Sequence, residues 1–143
     1  MGKLLITLLI AVVGVVTGQE ETDVAMTLFA TDLNGCDELS ACDTVVKIMC
    51  ASVSSDWRQC GITGEMGDDN FPLFKERFNF RYVPSEMQRW RFDLIDKDVL
   101  FDDPIGSVTV SMADFLRATE IQATMMFELN GRSRFYLHRR SLL

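Results

Sequence analysis

The sequence predicts an all-β fold, an eight-stranded antiparallel β-sandwich. Three observations point there. Apolar and polar residues alternate with period two in several separate stretches, the pattern of strands with one buried face. The stretches are short and set apart by turn residues, as sandwich strands are. The chain has 143 residues, 48% of them hydrophobic, with three Pro and nine Gly. That is one domain's worth of ordinary globular composition, which argues against a disordered or collagen-like chain.

The strands follow in order. Val24, Met26, Leu28 and Ala30 alternate with more polar neighbours. Val46, Ile48 and Cys50 alternate around Lys47 and Met49. Trp57 to Thr63 is a weaker strand. Phe78, Phe80 and Tyr82 alternate with Asn79 and Arg81, and Trp90, Phe92 and Leu94 with Arg91 and Asp93. Val108, Val110 and Met112 alternate with Thr109 and Ser111. Ala113 to Thr119 is the one helical stretch, with Asp114 near its start. Met125 to Leu129 and Arg134 to His138 close the chain, with the hairpin signal Asn130-Gly131 between them.

The first residues read as a leader. Met1-Gly2-Lys3 is a short positive start, and Leu4 to Val16 is apolar apart from Thr7 and Gly14. Val16-Thr17-Gly18 supplies small residues where a signal peptidase reads. A membrane anchor is the rival reading, but spanning a bilayer takes about 20 apolar residues. The expectation is a signal peptide over residues 1–18, cleavage after Gly18, and a secreted, extracellular domain over residues 19–143. No Asn-x-Ser/Thr site for an N-glycan is present.

An oxidising compartment changes the reading of Cys36, Cys42, Cys50 and Cys60. Four such cysteines usually make two disulfides. A zinc site would need paired C-x-x-C spacing, which is missing. Three connectivities are open. Cys50 and Cys60 sit symmetrically about Ser54-Ser55 and would face each other across a hairpin turning there. Cys36 and Cys42 flank one loop and would staple it, so Cys36–Cys42 and Cys50–Cys60 is the preferred pairing.

Charge narrows the function. With 14 Lys and Arg against 21 Asp and Glu, the net charge is −7, which suits nucleic-acid phosphates poorly. Losing Lys3 with the leader makes the remainder one charge more negative. A single His, His138, leaves little for His-based catalysis or a multi-His metal centre. No nucleophile–His pairing is visible, so the expectation is that the protein is not an enzyme.

The acids fall in two loops. Strand parity puts Asp96 on the core face with Trp90, Phe92 and Leu94. A buried carboxylate there is expensive unless paired or metal-bound. Asp98 follows, and Asp102 and Asp103 lie across a short loop. Asp37 and Asp43 lie six apart in the loop stapled by the first cysteine pair. Gathered carboxylates repel one another unless a cation sits between them, and all-oxygen ligands on flexible loops suit Ca2+. On composition alone the same acids read as solvated loop residues. An EF-hand is excluded, because a loop starting at Asp96 would carry Leu100 and Phe101 where Asp or Asn and Gly belong.

Three stretches resemble the C2 domain family. Leu33 to Asp37 with Cys42 to Ile48 resembles its first calcium loop and the strand that follows. Pro72 to Phe80 resembles a second family strand. Trp90 to Asp98 with Asp103-Pro104-Ile105-Gly106 is similar to the segment carrying the later ligands. The chain departs from the pattern with Thr44-Val45 for Pro-Tyr, Phe71 between Asn70 and Pro72, and a loop one residue short before Asp103. The resemblance implies Ca2+ held by Asp37, Asp43, Asp96, Asp98 and Asp103, with the Lys97 backbone carbonyl added and Asp102 an alternative fifth ligand. The strand order resembles the permuted, type II form found in phospholipase- and perforin-type members.

The resemblance also implies Ca2+-dependent binding to phospholipid membranes, with Val99, Leu100 and Phe101 as membrane contacts. Three consecutive apolar residues at a polar tip form a patch that wants a partner. The rival is that Leu100 or Phe101 folds back over the core. The alternative function is an extracellular protein-interaction module, with an extracellular protein partner, whose loops bind Ca2+ only structurally or not at all.

Overall fold

The structure is a computed structural model that describes residues 20–34, 36 and 39–142. The proposed leader, residues 1–18, lies outside the described residues. The strands are β1 (Thr22–Thr31), β2 (Thr44–Ser52), β3 (Ser55–Ile62), β4 (Phe78–Tyr82), β5 (Arg89–Asp96), β6 (Asp103–Ser111), β7 (Thr124–Glu128) and β8 (Arg134–Arg140). They form two four-stranded antiparallel sheets, ordered β4-β1-β8-β7 and β3-β2-β5-β6. β1 leads straight into the loop that carries Asp43, as the permuted strand order requires.

Alternation builds the core between the sheets. Val24, Met26, Leu28 and Ala30 of β1 are buried, as are Trp90, Phe92 and Leu94 of β5 and Phe135 and Leu137 of β8. Trp90 is the aromatic centre. Its ring lies 5.1 Å from Phe80, 6.2 Å from Phe92 and 5.5 Å from Phe115. Each such buried side chain contributes roughly 1.5–3 kcal/mol from apolar area. The Trp90 indole N–H has no hydrogen-bond partner among the described residues, so shape rather than polarity holds that ring.

The short helix α1 (Met112–Ala118) overlaps the helical stretch expected at Ala113 to Thr119, but it takes in Met112, which the alternation assigns to the preceding strand. The Ser111 hydroxyl caps it by accepting the Asp114 N–H at 3.0 Å. Phe115 and Leu116 turn into the core.

Both disulfides match the preferred pairing. Cys36–Cys42 closes the first loop and Cys50–Cys60 crosses β2 and β3. The hairpin differs from expectation in its turn. Ser52 pairs with Ser55, so the turn is Val53-Ser54, and Cys50 lies opposite Arg58. Two register shifts each place an extra residue in β3, and the second leaves Cys60 bulged between Gln59 and Gly61. The bulges bring the two Cα atoms to 5.8 Å.

The β7–β8 connection is also longer than a two-residue turn. Glu128 pairs with Arg134, leaving residues 129–133 as the loop. Gly131 takes a left-handed φ of 54°, which glycine adopts without strain. The added length serves Ser133, which is buried. Its hydroxyl donates to the Asp32 carbonyl at 2.8 Å and accepts the Asn34 N–H at 3.2 Å, tying this loop to the first one.

Candidate metal centre at the loop pole

Three loops meet at one end of the sandwich: residues 32–43 after β1, 63–77 after β3 and 97–102 after β5. Asp96, the last residue of β5, is 3% exposed, as strand parity predicts. Its Oδ1 accepts the Asp43 backbone N–H at 2.7 Å, and the Asp43 carbonyl accepts the Lys97 N–H at 2.8 Å. A carboxylate taken out of water needs such donors to remain charged. Asp103 opens β6 directly opposite Asp96. Asp43 Oδ1 accepts the Asp68 N–H at 2.6 Å.

The other expected ligands stand differently. Asp98 is exposed, and its Oδ1 accepts the Val99 N–H at 2.7 Å. Asp102 pairs with the Lys97 ammonium at 2.7 Å. That hydrogen bond holds the Asp102 carboxyl below the usual carboxylate range. Asp37 lies outside the described residues. Among the described residues no three acidic, His or Cys side chains form a ready metal cage. The donor chemistry does fit a hard cation. Every described candidate offers oxygen, the described set lies in the loops and strand ends of one pole, and its deepest member is the buried carboxylate of Asp96.

The tip beside these acids is presented to solvent. Val99 is 96% exposed, Leu100 81% and Phe101 78%. Neither Leu100 nor Phe101 folds back over the core.

The second loop is what sequence reasoning missed. The Asn70 side-chain oxygen accepts the Cys42 N–H at 3.0 Å, and Asp68 Oδ1 accepts the Ala41 N–H at 3.1 Å. The Asp69 N–H donates to the Cys42 carbonyl at 2.9 Å. Residues 68–70 therefore brace the loop that carries Asp43. Asp68 has a left-handed φ of 50°, which Asp tolerates better than most residues. The cluster Gly67-Asp68-Asp69-Asn70 signals a turn, but nothing local in it names its partners. Leu39 and Phe71 add exposed apolar side chains to the loop pole.

A family model of the C2 domain matches residues 24–129. The chain belongs to the C2 domain family. Solved structures agree on the fold. A C2 domain structure superposes with a TM-score of 0.58 at 21% identity, covering 80% of this chain and 94% of that one. Human GIVD cytosolic phospholipase A2 gives 0.59 at 17% identity, over 83% of this C2 chain. This chain spans only 17% of that phospholipase chain. A calcium-bound pair of C2 domains from Extended-Synaptotagmin 2 gives 0.57 at 17% identity, covering 82% of this chain and 45% of that one. A comparison with curated protein sequences finds no match.

Proposed function

We propose that this protein is an exported C2 module that binds Ca2+ at its loop pole and, through it, the surface of phospholipid membranes. The observation that carries the reading is the adjacency of the buried Asp96 carboxylate, held by Asp43, to an exposed apolar tip at Val99-Leu100-Phe101. Asp37, Asp43, Asp96, Asp98 and Asp103 would hold the ion, with Asp102 available once released from Lys97. When bound, Ca2+ supplies positive charge and open coordination positions for anionic headgroups. The protein's own part is to position the acids and to offer the tip. The Asp43–Asp96 hydrogen bond and the Cys36–Cys42 disulfide limit the motion that binding would otherwise have to freeze out. Leu100 and Phe101 each offer roughly 1.5–3 kcal/mol on entering lipid, too little to anchor the domain alone. The chain's net negative charge opposes anionic membranes until the ion arrives.

Membership of the C2 family and a calcium-bound structural neighbour support this reading. The leader-like first residues support export. The test is sedimentation with phosphatidylserine-containing vesicles in the presence of Ca2+ and then of chelator. Binding that chelator abolishes supports the proposal. Binding indifferent to Ca2+, or none, overturns it in favour of a protein-interaction module.

A further inference from the structure

The outer face of the β4-β1-β8-β7 sheet carries an apolar row that the loop pole does not account for. Residue pairing sets it out. Leu73 bridges Phe29 of β1, Phe29 pairs with Tyr136 of β8, and Tyr136 pairs with Met126 of β7. The four therefore lie side by side across the sheet. The neighbours of Phe29 and Tyr136 along their strands, Leu28, Ala30, Phe135 and Leu137, are buried in the core, so these two rings face outward. Leu73 is 65% exposed and Met126 46%. The Phe29 and Tyr136 rings stack at 4.4 Å and 6°, which makes the middle of the row rigid.

The row continues into the loop pole. The segment holding Leu73 runs along the end of β1, with the Ala30 N–H on the Pro72 carbonyl and the Leu33 N–H on the Asn70 carbonyl. Exposed Phe71 lies between. The next row toward the pole is Thr31, Arg134 and Glu128. Arg132 follows in the loop that Ser133 ties to the first loop. Arg132 and Arg134 are both exposed, and neither makes an ion pair among the described residues. In a chain of net charge −7, two unpaired guanidinium groups beside an apolar row complement a surface with phosphates outside and hydrocarbon beneath.

We infer that this side of the sandwich is a second membrane-contact surface, so that the domain docks tilted, with its Leu73–Phe29–Tyr136–Met126 row and Arg132/Arg134 against an anionic phospholipid bilayer. The inference rests on the membrane-binding reading above and adds the side of the domain that meets the lipid.

The test uses the purified protein, phosphatidylserine–phosphatidylcholine vesicles and Ca2+. Three variants are compared: Leu73→Glu/Met126→Glu, Arg132→Glu/Arg134→Glu, and Phe101→Asp. All the altered side chains are solvent-exposed, and an unchanged thermal midpoint and calcium titration would show that folding and the loop pole are intact. Partitioning is expected to fall about tenfold or more in the first variant. In the second it should also fall, with a shallower salt dependence than the unaltered protein shows. If Phe101→Asp abolishes binding while the first two variants bind normally, this inference fails and the membrane reading stands. If the unaltered protein does not sediment, both fail. If the first variant converts a dimer into a monomer with lipid binding unchanged, a second copy covers the row and the inference is overturned.

Discussion

The Asp43 backbone N–H donates to Asp96 Oδ1 at 2.7 Å across 53 residues of sequence. This bond fastens the end of the first loop to the end of β5. It also explains how a carboxylate is kept at a nearly closed position in the sandwich. Asp96→Asn keeps an acceptor of the same shape and removes the charge. Thermal stability without Ca2+ should stay within about 1 kcal/mol of the parent, because one neutral hydrogen bond replaces a charged one while a buried charge is relieved. Calorimetric Ca2+ binding should be lost. Unchanged binding would remove Asp96 from the site.

Phe101→Asp tests the tip separately. Phe101 is solvent-exposed, so denaturation midpoints should not move. Vesicle partitioning in Ca2+ should fall by roughly 1.5–3 kcal/mol equivalent, the burial value of one such side chain. Calcium titration in the absence of lipid should be unaffected. A parallel loss of calcium affinity would mean that the tip shapes the loop rather than meets lipid.

The two disulfides should separate stability from site organisation. In the chain-entropy model, loss of the short Cys36–Cys42 link costs about 2 kcal/mol and of Cys50–Cys60 about 3 kcal/mol. Removal of the first pair as Cys36→Ala/Cys42→Ala should also weaken Ca2+ binding, because Asp43 follows Cys42 directly. Cys50→Ala/Cys60→Ala should leave calcium affinity intact. Equal calcium affinities in the two double variants would show that the first link does nothing for the site.

Ser133→Ala removes the tether between the β7–β8 loop and the first loop. The Asn34 N–H and Asp32 carbonyl lose their partner, an expected loss of about 1–3 kcal/mol in chemical denaturation. A smaller change would mean that water replaces the hydroxyl.

The sequence carried the strands because one buried face imposes a period of two. In β5 the alternation runs from Trp90 to Leu94 and continues to Asp96, so the buried carboxylate was legible in the sequence. The apolar tip was readable as three adjacent residues, but whether it stood out or folded back was not, since the same three residues suit either conformation. The Val53-Ser54 turn and the β3 bulges were hidden because a single inserted residue leaves the hydrophobic pattern of so exposed a strand unchanged. The bracing by Asn70 and Ser133 was hidden for another reason. These side chains meet backbone groups 28 and 99 positions away, and no local periodicity encodes such a meeting.

The bulged Cys60 has a consequence for how the molecules behave in a crowd. β3 is one of the two outer strands of its sheet, and an outer strand with regular amides is a template for edge-to-edge polymerisation. Two interruptions break the regular spacing of that template, and the sulfur bridge prevents the second from being ironed flat. A stray extended chain therefore finds no continuous ladder to zip onto along that border, and the domain can be concentrated without β3 nucleating a fibril.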